Sequence, residues 1–140
     1  MRTIKFRGKT ITGGIWKYGY YYAYDTQFGL KHFIREVEED PGIRSIHDYE
    51  IDPDTLGQYT GLQDVEGVDI YEGDTVQTPF VDPIFGDTVG EVEGGPISKV
   101  GFNMGDFVVE YDDRKIYLSE FVAKSKVKII NPDIQEPKTV

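Results

Sequence analysis

The chain has 140 residues and no cysteine, which excludes disulfides, zinc–thiolate sites and thiol catalysis. Its 25 acidic and 15 basic side chains give a formal net charge of −10, which disfavours non-specific nucleic-acid binding. No apolar run approaches the ~20 residues that cross a bilayer, and the start MRTIKFRGK lacks a signal-peptide core. The expected location is the cytoplasm.

Ten Tyr and eight Phe, with many Val, Ile and Thr, favour strands, while sixteen Gly and seven Pro argue against long helices. Residues 2–7 alternate polar and apolar, with Ile4 and Phe6 on one face, and Gly8-Lys9 reads as a bend. Gly13-Gly14 is a turn before an aromatic strand, Ile15 to Asp25. Gly19 inside that strand marks a bulge or a close approach of another backbone. Residues 30–36 form a further strand, and residues 38–45 a loop with a Pro-Gly turn. Tyr49–Ile51 is a short strand, Asp52–Thr55 a turn or one helical turn, and Leu56–Leu62 an extended stretch. Asp64–Gly67 and Glu72–Asp74 are tight turns with Gly67 and Gly73 at positive φ, and residues 75–78 form a strand. Residues 79–88 read as an irregular loop and Val89–Glu93 as a strand broken by Gly94-Gly95-Pro96. Phe107–Tyr111 and Lys115–Leu118 form a hairpin around Asp112-Asp113-Arg114. A single turn at 119–121, a strand at 126–130 and a frayed tail complete the pattern.

Short strands separated by turn signals predict an all-β fold. Residues 1–70 make an N-terminal β-rich subdomain, 71–132 a small SH3-like barrel, and 133–140 a tail. Charge is segregated along the chain. Residues 1–44 hold eight basic and five acidic side chains, residues 45–98 hold thirteen acidic and no basic ones, and residues 99–140 hold seven of each. A local basic patch could still form from Arg2, Lys5, Arg7, Lys9 and Lys17. The acidic middle reads most simply as a solvated surface.

Three segments together resemble the YopX family of phage and prophage proteins. They are IKFRGK with the later WKYGYY; TLGQYTGLQDVEGVDIYEGDTV, residues 55–76; and FVVEYDDRKIYL, residues 107–118. The resemblance covers nearly the whole chain, and the central segment is the specific one. It implies a phage or prophage context and a β-rich fold with an SH3-like part. It carries over no catalytic residue. The stretch Pro79–Gly95 is longer than the commonest family pattern.

The acids Asp64, Glu66, Asp69, Glu72 and Asp74 are hard-oxygen donors, but their spacing is not that of an EF-hand. Turns in which Asp bonds its own backbone explain them more simply. No carboxylate pair stands out for hydrolysis. His32 and His47 lie outside any catalytic motif, and GGIWKYG lacks the signature of a phosphate loop. The expectation is a chain without catalytic, cofactor or metal residues. Two segments are expected to be structural: Tyr59, Thr60, Gly61 and Leu62, and Tyr71, Glu72, Gly73 and Asp74. Tyr59 and Leu62 are expected to be largely buried, and Trp16 and Tyr18 to anchor the core or a subunit contact. The strand face with Trp16, Lys17, Tyr18, Tyr20 and Tyr22 is the candidate interaction surface. Tyr20, Tyr22 and Tyr24 share one side of it and Tyr21 the other.

The functional reading is a non-enzymatic phage or prophage accessory protein acting by protein–protein contact. Its partners are other copies of itself and an unidentified host or phage protein. The alternatives are a nucleic-acid-binding module, in which aromatics stack bases, and an acidic DNA mimic.

Overall fold

The structure is a computed structural model that describes residues 5–40, 42–81, 88–89, 91–93, 95–103, 106–111, 114–123 and 127–130. The described elements are strands apart from one short helix, so the fold is all-β. Arg2, Ile4, the middle of the 79–88 loop, Asp112-Asp113 and the 133–140 tail lie outside the described residues. The chain divides into two compact units, Met1–Tyr59 and Thr60–Val140. That division falls earlier than the expected boundary at residues 70/71. The residues after Tyr59 already bond onward: the Thr60 hydroxyl donates to the Ile70 carbonyl at 2.7 Å, and Leu62 packs on the second unit's core.

The first unit holds β1 (Phe6–Thr10), β2 (Trp16–Thr26), β3 (Gly29–Asp40) and most of β4 (Ile43–Gln63). Each strand pairs antiparallel with the next, and β1 also pairs with β4, so the ladder closes on itself. Ile34 and Ile51 are buried at its centre. The loop expected at 38–45 is a tight turn, because Val37, Glu38, Glu39 and Asp40 pair with Ile46, Ser45, Arg44 and Ile43. Gly42 closes it at φ 86°.

The bend expected at Gly8-Lys9 falls on the opposite strand instead. Arg7 pairs with Gly57 and Lys9 with Asp52, so residues 53–56 bulge out opposite Gly8. The Asp52 carboxylate accepts from the Asp54 N–H at 3.0 Å, and the Thr55 hydroxyl donates to the Asp52 carbonyl at 2.6 Å. The turn read from Asp52–Thr55 is thus present as a bulge within a strand. A side chain at Gly8 would meet the Ile51 side chain, which would have to shift to admit it.

The second unit holds β5 (Asp69–Tyr71), β6 (Thr75–Gln77), β7 (Phe80–Val81), β8 (Thr88–Val89), β9 (Ile97–Asn103), β10 (Asp106–Tyr111), β11 (Arg114–Tyr117), α1 (Leu118–Ala123) and β12 (Lys128–Ile129). A five-stranded sheet runs in the order β11-β10-β9-β6-β12, and β7 pairs with β8. Its core is Ile70, Val76, Val100, Phe107, Val109, Leu118, Phe121 and Val127. Burying each such apolar side chain contributes ~1.5–3 kcal/mol. The pairings between described residues give an open sheet.

One expectation needs correction here: the strand expected at 89–93 is present as β8, Thr88–Val89, and residues 92–93 turn. The central strand β9 was not expected; among its described side chains Val100 is buried, while the large apolar Ile97 and Phe102 are exposed and give no apolar alternation to read.

Candidate protein interaction surface

The period-2 pleat of β2 places Tyr20, Tyr22 and Tyr24 on one face. Their partners on β3 are Arg35, Phe33 and Lys31, and on β4 Phe33 and Arg35 face Glu50 and Asp48. The rings of Tyr22 and Tyr24 lie 5.2 and 5.3 Å from the Phe33 ring at interplanar angles of 12° and 3°. Such stacked pairs contribute ~0.5–1.5 kcal/mol each beyond burial. Tyr20 is 63% exposed and Tyr24 is also exposed, so the ladder faces solvent. Gly19 lets β3 come close, because a side chain there would overlap the Arg35 carbonyl.

Polar contacts fix this face. The Arg35 guanidinium donates to both Asp48 oxygens, at 2.8 and 3.0 Å, and lies 5.1 Å over the Tyr22 ring. The Tyr22 hydroxyl donates to Asp48 at 2.9 Å. The Arg35 fork holds the Asp48 carboxyl below the usual carboxylate range. Desolvation first, then the hydrogen bond to Asp48 and the Asp48 charge, push the Tyr22 phenol up. Lys31 reaches Glu50 at 3.7 Å. Phe33, Arg35 and Asp48 were not singled out in the sequence; the signal that finds them is their register opposite Tyr22 and Tyr20.

The reverse face is quieter. The Tyr21 hydroxyl and His32 Nδ1 are 2.6 Å apart over stacked rings, so His32 has a phenol rather than a carboxylate as its partner. His47 is exposed, beside the Tyr49 ring.

Lys5, Arg7, Lys9 and Lys17, the described members of the expected basic patch, each sit over an aromatic ring. Lys5 lies 5.1 Å from the Tyr59 ring, Arg7 4.9 Å from Trp16, Lys9 5.9 Å from Trp16 and Lys17 4.3 Å from Tyr49. Arg7 is buried. Cation–π contacts of this kind contribute ~0.5–1 kcal/mol when exposed and more when desolvated. Trp16 and Tyr18 are half-buried, not core residues.

Beside this array, the β1–β2 turn and β4 frame a groove of about 320 Å³ lined by residues including Ile11, Ile15, Lys17 and Tyr49. The turn is fixed by Thr10, whose hydroxyl donates to the Thr12 carbonyl at 2.7 Å and accepts from the Ile15 N–H at 2.9 Å.

The acidic turns of the second unit are internal fasteners. Asp64 is buried; one oxygen accepts from Glu66 and Val68 N–H at 2.8 and 3.0 Å, the other from Ile129 N–H at 3.1 Å. Asp74 is 0% exposed and accepts from the Tyr71 N–H at 2.8 Å. Asp69 is buried and accepts from the Gln63 amide at 3.0 Å. Gly61, Gly67 and Gly73 lie at φ 82°, 81° and 92°. Thr60 and Tyr71 are buried, while Tyr59, Leu62 and Glu72 are half-buried, so Tyr59 and Leu62 are more accessible than expected. Among the described residues, no three His, Asp or Glu side chains converge as a metal site would require.

A family model described as YopX protein matches residues 5–139. No curated protein matches. A solved structure described as the crystal structure of protein EF1440 from Enterococcus faecalis is similar over 93% of this chain and 92% of that one, with a TM-score of 0.50 and 19% identity. At that identity the likeness concerns the fold alone. No helix among the described residues is long and apolar enough to cross a membrane.

Proposed function

This chain belongs to the YopX protein family, and from that premise we propose a non-enzymatic accessory protein of a phage or prophage. It works in the host cytoplasm through protein–protein contact, with further copies of itself and with a host or phage protein. The second unit serves as an SH3-like module. The observation that carries this reading is the solvent-facing ladder of Tyr20, Tyr22, Tyr24 and Phe33, locked by Arg35 and Asp48. Rigid aromatics flanked by arginine are the residues that dominate protein interfaces. Stacking and the Asp48 fork order these side chains in advance, which lowers the entropy cost of binding.

The test is affinity capture from infected and uninfected host lysate, with wild type and a Tyr20→Ser/Tyr24→Ser variant as baits. A partner held by wild type and lost by the folded variant supports the reading. Equal capture by both baits, or no capture by either, overturns it.

Nucleic-acid binding is the second reading, favoured by stacked rings beside Lys31 and Arg35. Both cations are matched by carboxylates, Glu50 and Asp48, which weakens the positive field at the ladder itself. Titration with single- and double-stranded DNA at low salt decides it: binding with a steep salt dependence supports it, and no binding eliminates it. An acidic DNA mimic would have to act through exposed acids such as Asp52, Asp54 and Glu66, since Asp64, Asp69 and Asp74 are buried.

A further inference from the structure

The geometry points to Phe28 as a knob that inserts into the Ile11–Ile15 groove of a second copy of this chain. This rests on the reading above that the chain associates with itself, and it names the contact.

Phe28 sits at the tip of the β2–β3 turn and is 84% exposed. The tip is held in shape, not left loose. The Thr26 hydroxyl donates to the Gly29 carbonyl at 2.8 Å and accepts from the Phe28 N–H at 3.1 Å. Next to it, Leu30 is exposed, with Asp25 as its cross-strand partner. The result is an ordered apolar knob with a carboxylate on its flank.

The groove is the complementary shape. Its walls include Ile11 and Ile15, 58% and 56% exposed, and its volume is about 320 Å³. A cavity of ~150 Å³ already accepts benzene, so a phenyl ring fits with room for its stem. The carboxylates of the lining are already matched: Glu50 meets Lys31 at 3.7 Å and Asp48 meets Arg35 at 2.8 Å. Lys17 lies over the Tyr49 ring instead, so the charge the groove offers is positive. Asp25 beside the knob is its complement.

The knob cannot fill its own groove. Tyr49 in the groove lies level with Ile34 and Tyr21, and β2 runs on from there to Thr26 before the turn starts. At ~3.3 Å per residue that is roughly 15 Å, well beyond the reach of a phenylalanine side chain. Knob and groove are different patches, so the contact is made either reciprocally, as a two-fold dimer, or head to tail. The head-to-tail form, repeated, closes a ring or extends a filament.

Sedimentation velocity at micromolar concentration tests this with wild type, Phe28→Ser and Ile15→Arg, each checked for fold by circular dichroism. Wild type associates, and each variant alone stays monomeric at a concentration tenfold above the wild-type midpoint. An equimolar mixture of the two variants forms dimers and nothing larger, because one retains the groove and the other the knob. If Ile15→Arg fails to fold, Ile11→Lys replaces it. Phe28→Ser that associates like wild type, or a mixture that stays monomeric, overturns the knob contact and leaves self-association standing. A wild type that is monomeric throughout overturns both.

Discussion

Arg35 holds Asp48 in a two-pronged fork, Nε to one oxygen at 2.8 Å and Nη2 to the other at 3.0 Å, across the β3–β4 pair. The second oxygen also accepts the Tyr22 hydroxyl, so one carboxylate ties three strands together. The aromatic face therefore carries its own polar frame, and that frame can be titrated.

Asp48→Asn should bring the Tyr22 phenol part of the way back toward the ordinary tyrosine value of about 10. The Asp48 charge is one of the causes that raise it, while desolvation, the larger one, remains. Ultraviolet difference titration reads the shift, with no movement as the contrary result. The same variant has a signed effect on stability. The native Asp48 value is depressed, so its contribution is present above the unfolded value of about 3.9 and is lost as pH falls through the lower native one. The pair is exposed and screened, so the effect is small. Wild type should lose this margin in acid, and Asp48→Asn should lack it at every pH.

Gly19 and Gly101 make a matched pair of tests. A methyl at Gly19 would overlap the Arg35 carbonyl, so Gly19→Ala should destabilise by ~1–3 kcal/mol through forced backbone shifts. At Gly101 nothing lies within 4 Å, and Gly101→Ala should be neutral or stabilise by up to ~1 kcal/mol. Denaturant midpoints compare them, and equal effects would contradict the close approach at Gly19.

Asp64→Ala should be among the most damaging single changes in the second unit. It leaves the Glu66, Val68 and Ile129 N–H groups without their acceptor. The cost is ~1–3 kcal/mol for each donor that stays buried. Wild-type Tm should not change on adding Ca²⁺ or Mg²⁺, since these oxygens are already engaged by backbone. A metal-dependent rise in Tm would show a site instead of a fastener.

Gly73→Val tests the neighbouring turn. Gly73 lies at φ 92°, beside the buried Asp74 that accepts from Tyr71. A β-branched residue there should cost ~1–3 kcal/mol. An unchanged melting temperature would refute the turn's role.

The parts of the fold legible in the sequence were those with local causes. The aromatic strand, the glycine turns and the face shared by Tyr20, Tyr22 and Tyr24 follow from period and turn chemistry. The strand β9 was not legible, since its apolar Ile97 and Phe102 are exposed on either side of buried Val100. Long-range pairing also hid the tight β3–β4 turn and the bulge at residues 53–56. The surface was half visible. Its tyrosines stood out, but Phe33, Arg35 and Asp48 join them only through register. Nor could the sequence show that Lys5, Arg7, Lys9 and Lys17 lie over rings.

The central claim is that this chain acts through protein–protein contact, beginning with its own copies. Native mass spectrometry of the wild-type protein across the micromolar range tests it most directly. The prediction is a concentration-dependent series of species at multiples of 15.9 kDa. A single species at 15.9 kDa at every concentration would contradict it.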